Sequence, residues 1–177
     1  MKTKTIPAWI VLGIIALVAG LLLGLTNDLT APKIAEAAAE AAESTRKSLR
    51  SQAEEFEAVK LDKKAKLDNC YRGTKDGETV GYVTQITVKG YGGEIEIMAG
   101  FDTEGVCTGI SVGGANFSET PGLGANSKNE SFTNQFKGQT APIVLGESVD
   151  AITAATITST AVVNGVNTMA DYVATLS

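Results

Sequence analysis

The 177-residue chain contains no histidine. That absence excludes a histidine-based catalytic triad, a zinc site with histidine ligands and any Cys–His couple. Cysteine is nearly absent too. Cys70 and Cys107 are the only two thiols, so the chain alone cannot ligate an iron–sulfur cluster, which takes four. The pair fits either one disulfide in an oxidising compartment or two free thiols. No metal site is expected. Positive charge is also scarce: without Lys2 and Lys4, 13 basic residues face 20 acidic ones. That balance argues against nucleic acid as a partner and against a basic membrane-surface patch.

Charge is missing altogether from Ile6 to Thr26, a run of 21 residues. A helix of that length reaches across the hydrocarbon core of a bilayer. Lys2 and Lys4 precede it and Asp28 follows it, which predicts a cytoplasmic N-terminus and an extracytoplasmic remainder. A cleaved signal peptide is the alternative, with an unusually long apolar region and a small-residue site near Ala35-Glu36-Ala37. The span contains no ionisable residue, so a channel or transporter acting alone is not expected. Gly13, Gly20 and Gly24 leave room for close contact with partner helices.

The chain is expected to divide into an anchor (1–27), a helical connector (28–60) and an α+β domain (61–177). Asn27–Pro32 reads as a short break or kink. Residues 33–59, rich in Ala, Glu, Lys and Arg, read as a helix with a discontinuous apolar stripe that includes Phe56. Gly81–Val88, Glu94–Ala99 and Gly105–Val112 alternate apolar and polar residues between glycine-containing turns, predicting a meander of at least three antiparallel strands. Ser131–Phe136 reads as a short helix presenting Phe132 and Phe136, and Pro142–Leu145 as a brief strand. Ser159 or Thr158 is the expected cap of a last helix whose stripe of Val162, Val163, Val166, Met169, Ala170 and Val173 packs on the sheet.

Two segments stand out from that framework. Glu119-Thr120-Pro121-Gly122-Leu123-Gly124 combines a direction-fixing proline with glycines that let backbone approach a ligand closely. A structural turn explains it equally well. The second is Asp150-Ala151-Ile152-Thr153-Ala154-Ala155-Thr156-Ile157-Thr158-Ser159, hydroxyl-rich and small at the start of the last helix. Free N–H groups there suit a phosphate, although local capping by the hydroxyls is the simpler reading.

With these residues in place, the chain resembles RnfG, the FMN-binding component of the Rnf (Rsx) electron-transport complexes. More distantly it is similar to NqrC, the corresponding component of the sodium-translocating NADH:quinone reductase. In that family an aspartate is followed three residues later by Ser/Thr-Gly-Ala-Thr, whose last threonine carries FMN through a phosphoester. The resemblance therefore implies FMN on Thr156, with Thr158 as the fallback. It implies flavin contacts from Glu119, Thr120, Pro121, Gly122, Leu123 and Gly124, and from Thr153, Ala154, Ala155, Ile157, Thr158 and Ser159. Asp150 would serve recognition by a separate flavin transferase or cap the helix. Ala154 departs from the family's glycine, and Gly113–Ser118 lacks the histidine many relatives place before the Glu-Thr-Pro-Gly-Leu-Gly motif. Asn134–Gly138 is similar to the family's Gln-Phe-x-Gly segment.

The function implied is an electron-carrying flavoprotein subunit of a membrane ferredoxin:NAD oxidoreductase coupled to sodium or proton translocation. Its partners would be multispanning and iron–sulfur subunits, and any ion path would lie in them. The alternatives are the corresponding subunit of an NADH:quinone reductase, a stand-alone tethered flavoprotein, and a nonredox extracytoplasmic scaffold.

Overall fold

Residues 7–62 and 65–176 are described by a computed structural model of the chain. Lys2 and Lys4, on which the expected orientation rests, lie outside that range. The first element, α1 (Ala8–Leu49), is one helix of 42 residues. It is long and apolar enough to cross a membrane, and among the described residues no other helix is. The chain is a single-pass membrane protein on this reading.

The break expected at Asn27–Pro32 does not occur, because α1 continues through Pro32. Proline removes one backbone donor there, but the alanine-rich stretch 35–42 that follows strongly favours helix. The threonine hydroxyls of this stretch add bonds to the helix, Thr26 to the Leu22 carbonyl at 2.7 Å and Thr30 to the Thr26 carbonyl at 2.8 Å.

The chain forms two compact units, Met1–Ala42 and Glu43–Ser177. The second begins with the last turns of α1. The helix expected over 33–59 stops at Leu49, and Glu55–Ala58 is instead a strand, β1. Tertiary contacts override local propensity here. Thr108 donates its hydroxyl to the Leu49 carbonyl at 2.6 Å, and the Arg50 guanidinium donates to the Val80 carbonyl. The helix end is thereby capped by the sheet. Glu55-Phe56-Glu57-Ala58 then pairs antiparallel with β2, Phe56 facing Gly73.

The sheet continues through β2 (Asn69–Lys75), β3 (Glu78–Lys89), β4 (Glu94–Phe101) and β5 (Cys107–Gly113). All pairings are antiparallel and the order is β1-β2-β3-β4-β5, a meander in which each strand pairs with its sequence neighbour. The three strands expected from alternation are present, and β1 and β2 extend the sheet on one side. Asp76-Gly77 turns β2 into β3 with positive φ at both residues, 52° and 81°, the geometry that suits a tight hairpin.

Period-2 alternation gives the sheet two faces. Ile86, Ile97, Ala99, Phe101, Ile110 and Val112 form one, with α2 (Glu130–Thr133) and the following Asn134–Phe136 turn packed beside it. Over it lies α3 (Thr156–Val173), burying Val162, Val163, Val166, Met169, Ala170 and Val173. The expected apolar stripe is core, and burial of each large side chain contributes roughly 1.5–3 kcal/mol. Phe132 and Phe136 are both buried, edge-to-face with centroids 5.4 Å apart. The opposite face carries Val83 and Met98, and Leu49 lies against it, with no room for a side chain at Gly100. The brief strand expected at Pro142–Leu145 is only an isolated bridge from Leu145 to Val149, and the Asn167 side chain holds both backbone groups of Ile143 at 2.8 Å.

Cys70 and Cys107 are free and buried. They sit on β2 and β5, separated by β3 and β4. Three strand spacings amount to about 14 Å, twice the roughly 7 Å that limits a disulfide. Burial pushes both thiols up to about 11, far from the thiolate needed for attack. Folded protein at pH 8 should leave a thiol reagent unconsumed, and denaturant should release two equivalents per chain. Fast reaction without denaturant would contradict the burial.

Candidate functional site

A buried acid organises the region where the two unusual segments meet. Glu119 is only 7% exposed, and an unpaired carboxyl there would be costly. Its Oε1 accepts the backbone N–H of Tyr91 at 2.8 Å and of Gly92 at 3.0 Å. Its Oε2 accepts the Thr158 hydroxyl at 2.8 Å. One side chain therefore joins the β3–β4 turn, the loop after β5 and the first turn of α3.

This arrangement explains glycines that periodicity reads only as turns. A Cβ on Gly124 would lie 2.0 Å from Glu119 Oε2, and one on Gly90 would lie 2.3 Å from Oε1. A Cβ on Gly92 would meet the Ser118 carbonyl oxygen at 2.2 Å. The three glycines let backbone close around the carboxyl. Gly122, with φ +79° and open space around it, instead supplies the left-handed residue that turns the loop.

The start of α3 differs from expectation. Neither Ser159 nor Thr158 caps it. The helix begins at Thr156 with Ala155 in the capping position and no side-chain bond to its N–H groups. Ser159 lies inside the first turn, accepting the Ile152 N–H and donating to the Ala155 carbonyl, both at 3.0 Å. Asp150 is not the cap either: its side chain is exposed, and its backbone N–H donates to Gln135 Oε1 at 2.7 Å. The N–H groups of Thr156, Ile157 and Thr158 consequently have no acceptor within the described residues. Unmet donors at a helix start attract anions.

These parts border a cavity of about 390 Å³, within the range of about 300–1,000 Å³ usual for small-molecule sites. Glu119, Thr120, Leu123 and Gly124 form one wall and Ala154 to Thr158 another. The third is Tyr91, which lies outside both segments and was not anticipated. Its only signal in the sequence is an aromatic residue set among the glycines of a turn. Eight of the twelve expected contact residues line the cavity together with Thr156, whereas Pro121, Gly122, Thr153 and Ser159 do not. Thr156 and Ile157 are exposed and Thr158 is buried. Apolar walls beside three unmet N–H groups fit a ligand with a planar ring and a phosphate.

The domain is of the FMN-binding class: residues 90–171 match the family model for an FMN-binding domain, and residues 1–49 match that for the RnfG N-terminal region. The chain is 36% identical to the G subunit of the Na(+)-translocating ferredoxin:NAD(+) oxidoreductase complex of Acetobacterium woodii, the match covering 66% of each chain. It is 34% identical to the G subunit of the proton-translocating ferredoxin:NAD(+) oxidoreductase complex of Clostridium ljungdahlii, covering 68% of each. The crystal structure of Shewanella oneidensis NqrC shares the fold, with TM-score 0.50, 18% identity, and 72% of this chain and 74% of that one covered. The chain belongs to the RnfG family of ion-translocating, Rnf-type oxidoreductase complexes. It spans about two thirds of the length of the curated relatives.

Ala154 now has a physical description. Its φ is +60°, a left-handed conformation that is unhindered for glycine and disfavoured by about 1–2 kcal/mol for other residues. Ala154→Gly relieves that strain, and the greater freedom of glycine in the unfolded chain offsets about 0.4–1 kcal/mol of the gain. The full chain should become more stable by up to about 1 kcal/mol in denaturant titration, and a loss of stability would contradict the left-handed assignment. Glu119→Ala should cost about 1–3 kcal/mol for each buried donor left unmet. Glu119→Gln, which keeps an acceptor for the two amides and can donate to Thr158, should stay within about 1 kcal/mol of the parent. Equal losses for both would show that the hydrogen bonds are not what holds the turn.

Proposed function

We propose that the chain is the electron-carrying subunit of a membrane ferredoxin:NAD oxidoreductase complex coupled to sodium or proton translocation. In this reading FMN is joined through its phosphate to Thr156. The observation that carries it is the placement of Thr156, exposed at the first position of α3, on a cavity wall beside three unmet backbone N–H groups. Those donors favour the phosphate, and the Glu119–Gly124 loop and Ala154–Ile157 border the ring. FMN supplies one- and two-electron chemistry, while the protein positions it and tunes its surroundings. A covalent tether prevents loss of the cofactor and holds it at high effective concentration near its redox partners.

Thr158 is a poor attachment point, since its hydroxyl is buried and donates to Glu119. Asp150 is exposed ahead of the helix and free to serve recognition by a flavin transferase. Lys2 and Lys4 before the apolar run favour a cytoplasmic N-terminus and an extracytoplasmic flavin domain. The partners are multispanning and iron–sulfur subunits of the complex, and they contain the ion path, because the single span has no charged side chain between Ile6 and Thr26.

Intact mass and peptide mapping of protein made in its native host, alongside Thr156→Val and Thr158→Val, test the reading. The parent and Thr158→Val should both carry the added mass of phosphoester-linked FMN, and Thr156→Val should not. Thr158→Val should also be less stable by about 1–3 kcal/mol, because a buried acceptor loses its donor. Loss of flavin with Thr158→Val alone would move the attachment point. A folded parent without flavin would sink the proposal.

A further inference from the structure

Among the described residues of Glu43–Ser177, four large apolar side chains remain well exposed: Tyr91 at 71%, Ile157 at 58%, Val144 at 41% and Leu123 at 39%. Single exposed apolar residues need no explanation. Three of these four, however, line one cavity, and each comes from a different segment. Two belong to the segments already assigned to the cofactor. Tyr91 does not.

Its setting is unusual for a surface tyrosine. The backbone is held firmly, with the Tyr91 N–H donated to Glu119 at 2.8 Å and the adjoining Gly92 N–H donated to the same oxygen. Gly90 and Gly92 flank it, and close contacts with Glu119 and Ser118 leave no space for a side chain at either. The main chain is therefore pinned by the carboxyl that also binds the first turn of α3. The ring itself is left in solvent at the cavity edge, with no protein hydrogen bond to its hydroxyl among the described residues. A pinned backbone carrying an uncovered aromatic ring is suited to receive a flat partner, since aromatic rings stack offset or edge-on at short range.

We propose that Tyr91 is the third wall of the flavin site, its ring packing against the isoalloxazine and tuning its electronic properties. This rests on the reading that FMN occupies the cavity. Glu119 is then a positioning residue: it touches no reacting atom but sets where Tyr91 stands relative to α3. Two consequences follow from the chemistry of the phenol. Tyrosine in contact with a photoexcited flavin donates an electron to it and suppresses fluorescence. The electron-rich face of the ring also disfavours added negative charge on a group stacked against it, so removing the ring raises the midpoint potential.

The test uses full-length, host-made protein in detergent: the parent, Tyr91→Phe and Tyr91→Leu. Intact mass first establishes covalent flavin in each. Fluorescence per bound flavin should rise severalfold in both variants, because neither phenylalanine nor leucine donates an electron as phenol does. The midpoint potential should rise in Tyr91→Leu and stay near the parent value in Tyr91→Phe, which keeps an aromatic face. Unchanged fluorescence and potential in Tyr91→Leu at full flavin occupancy would overturn the proposal while leaving the flavin reading intact. If Tyr91→Leu fails to fold, Tyr91→Phe decides, and unchanged fluorescence in it overturns the proposal. Absence of flavin from the folded parent would overturn both.

Discussion

A carboxyl removed from water has to find donors, and Glu119 finds three in two other parts of the chain. That requirement governs the site. It draws the β3–β4 turn, the loop after β5 and the start of α3 to one point, and it dictates glycine where backbone must close around the oxygens. Because the hydroxyl of Thr158 is committed to this bond, the helix start is fixed in rotation as well as position. Thr156, two residues earlier, is exposed at the cavity wall, and the first N–H groups of α3 have no acceptor among the described residues. Anchoring and availability are thus divided between two threonines of one turn.

The second face of the sheet answers a different constraint. A β-sheet buried on only one side exposes the other to water, and here Val83 and Met98 lie on that other side. The residues that lie against it come from the last turn of α1 and the position just after it. Leu49 sits over Gly100, and Arg50 reaches the Val80 carbonyl. The bonds that end α1 are therefore sheet bonds, and the helix terminus and the sheet surface complete one another. Arg46, a turn earlier, stacks its guanidinium 4.2 Å from the centre of the Tyr71 ring, adding a cation–π contact to the same surface.

How far this was legible in the sequence depends on whether the signal was local. Alternation revealed β3, β4 and β5, and helical spacing revealed the buried stripe of α3, because each pattern lies within its own element. Glu55–Ala58 tolerates helix by local propensity, and only pairing with β2 makes it a strand. Pro32 suggests a stop, yet α1 continues through it into the alanine-rich 35–42. Both unusual segments are recognisable from residue identity, and residues of each border one cavity. The hydroxyls of Thr158 and Ser159 have the spacing of caps but turn elsewhere, and sequence spacing does not tell which way a side chain turns. Thr158 faces Glu119, 39 positions away, and that partner is invisible to a local reading. Tyr91 was missed for the same reason, since its neighbourhood is created by the fold.

The meander order of the sheet has a bearing on assembly. Each strand pairs with its neighbour in sequence, so hairpins can form early from nearby residues, a topology of short-range closures. The cavity is not short-range: its walls come from residues 91, 119, 120, 123, 124 and 154–158. It exists only after the last helix has docked on a finished sheet. A nascent chain can possess much of the sheet and still have no cavity to load, so any ligand that needs all three walls can bind only once α3 has docked.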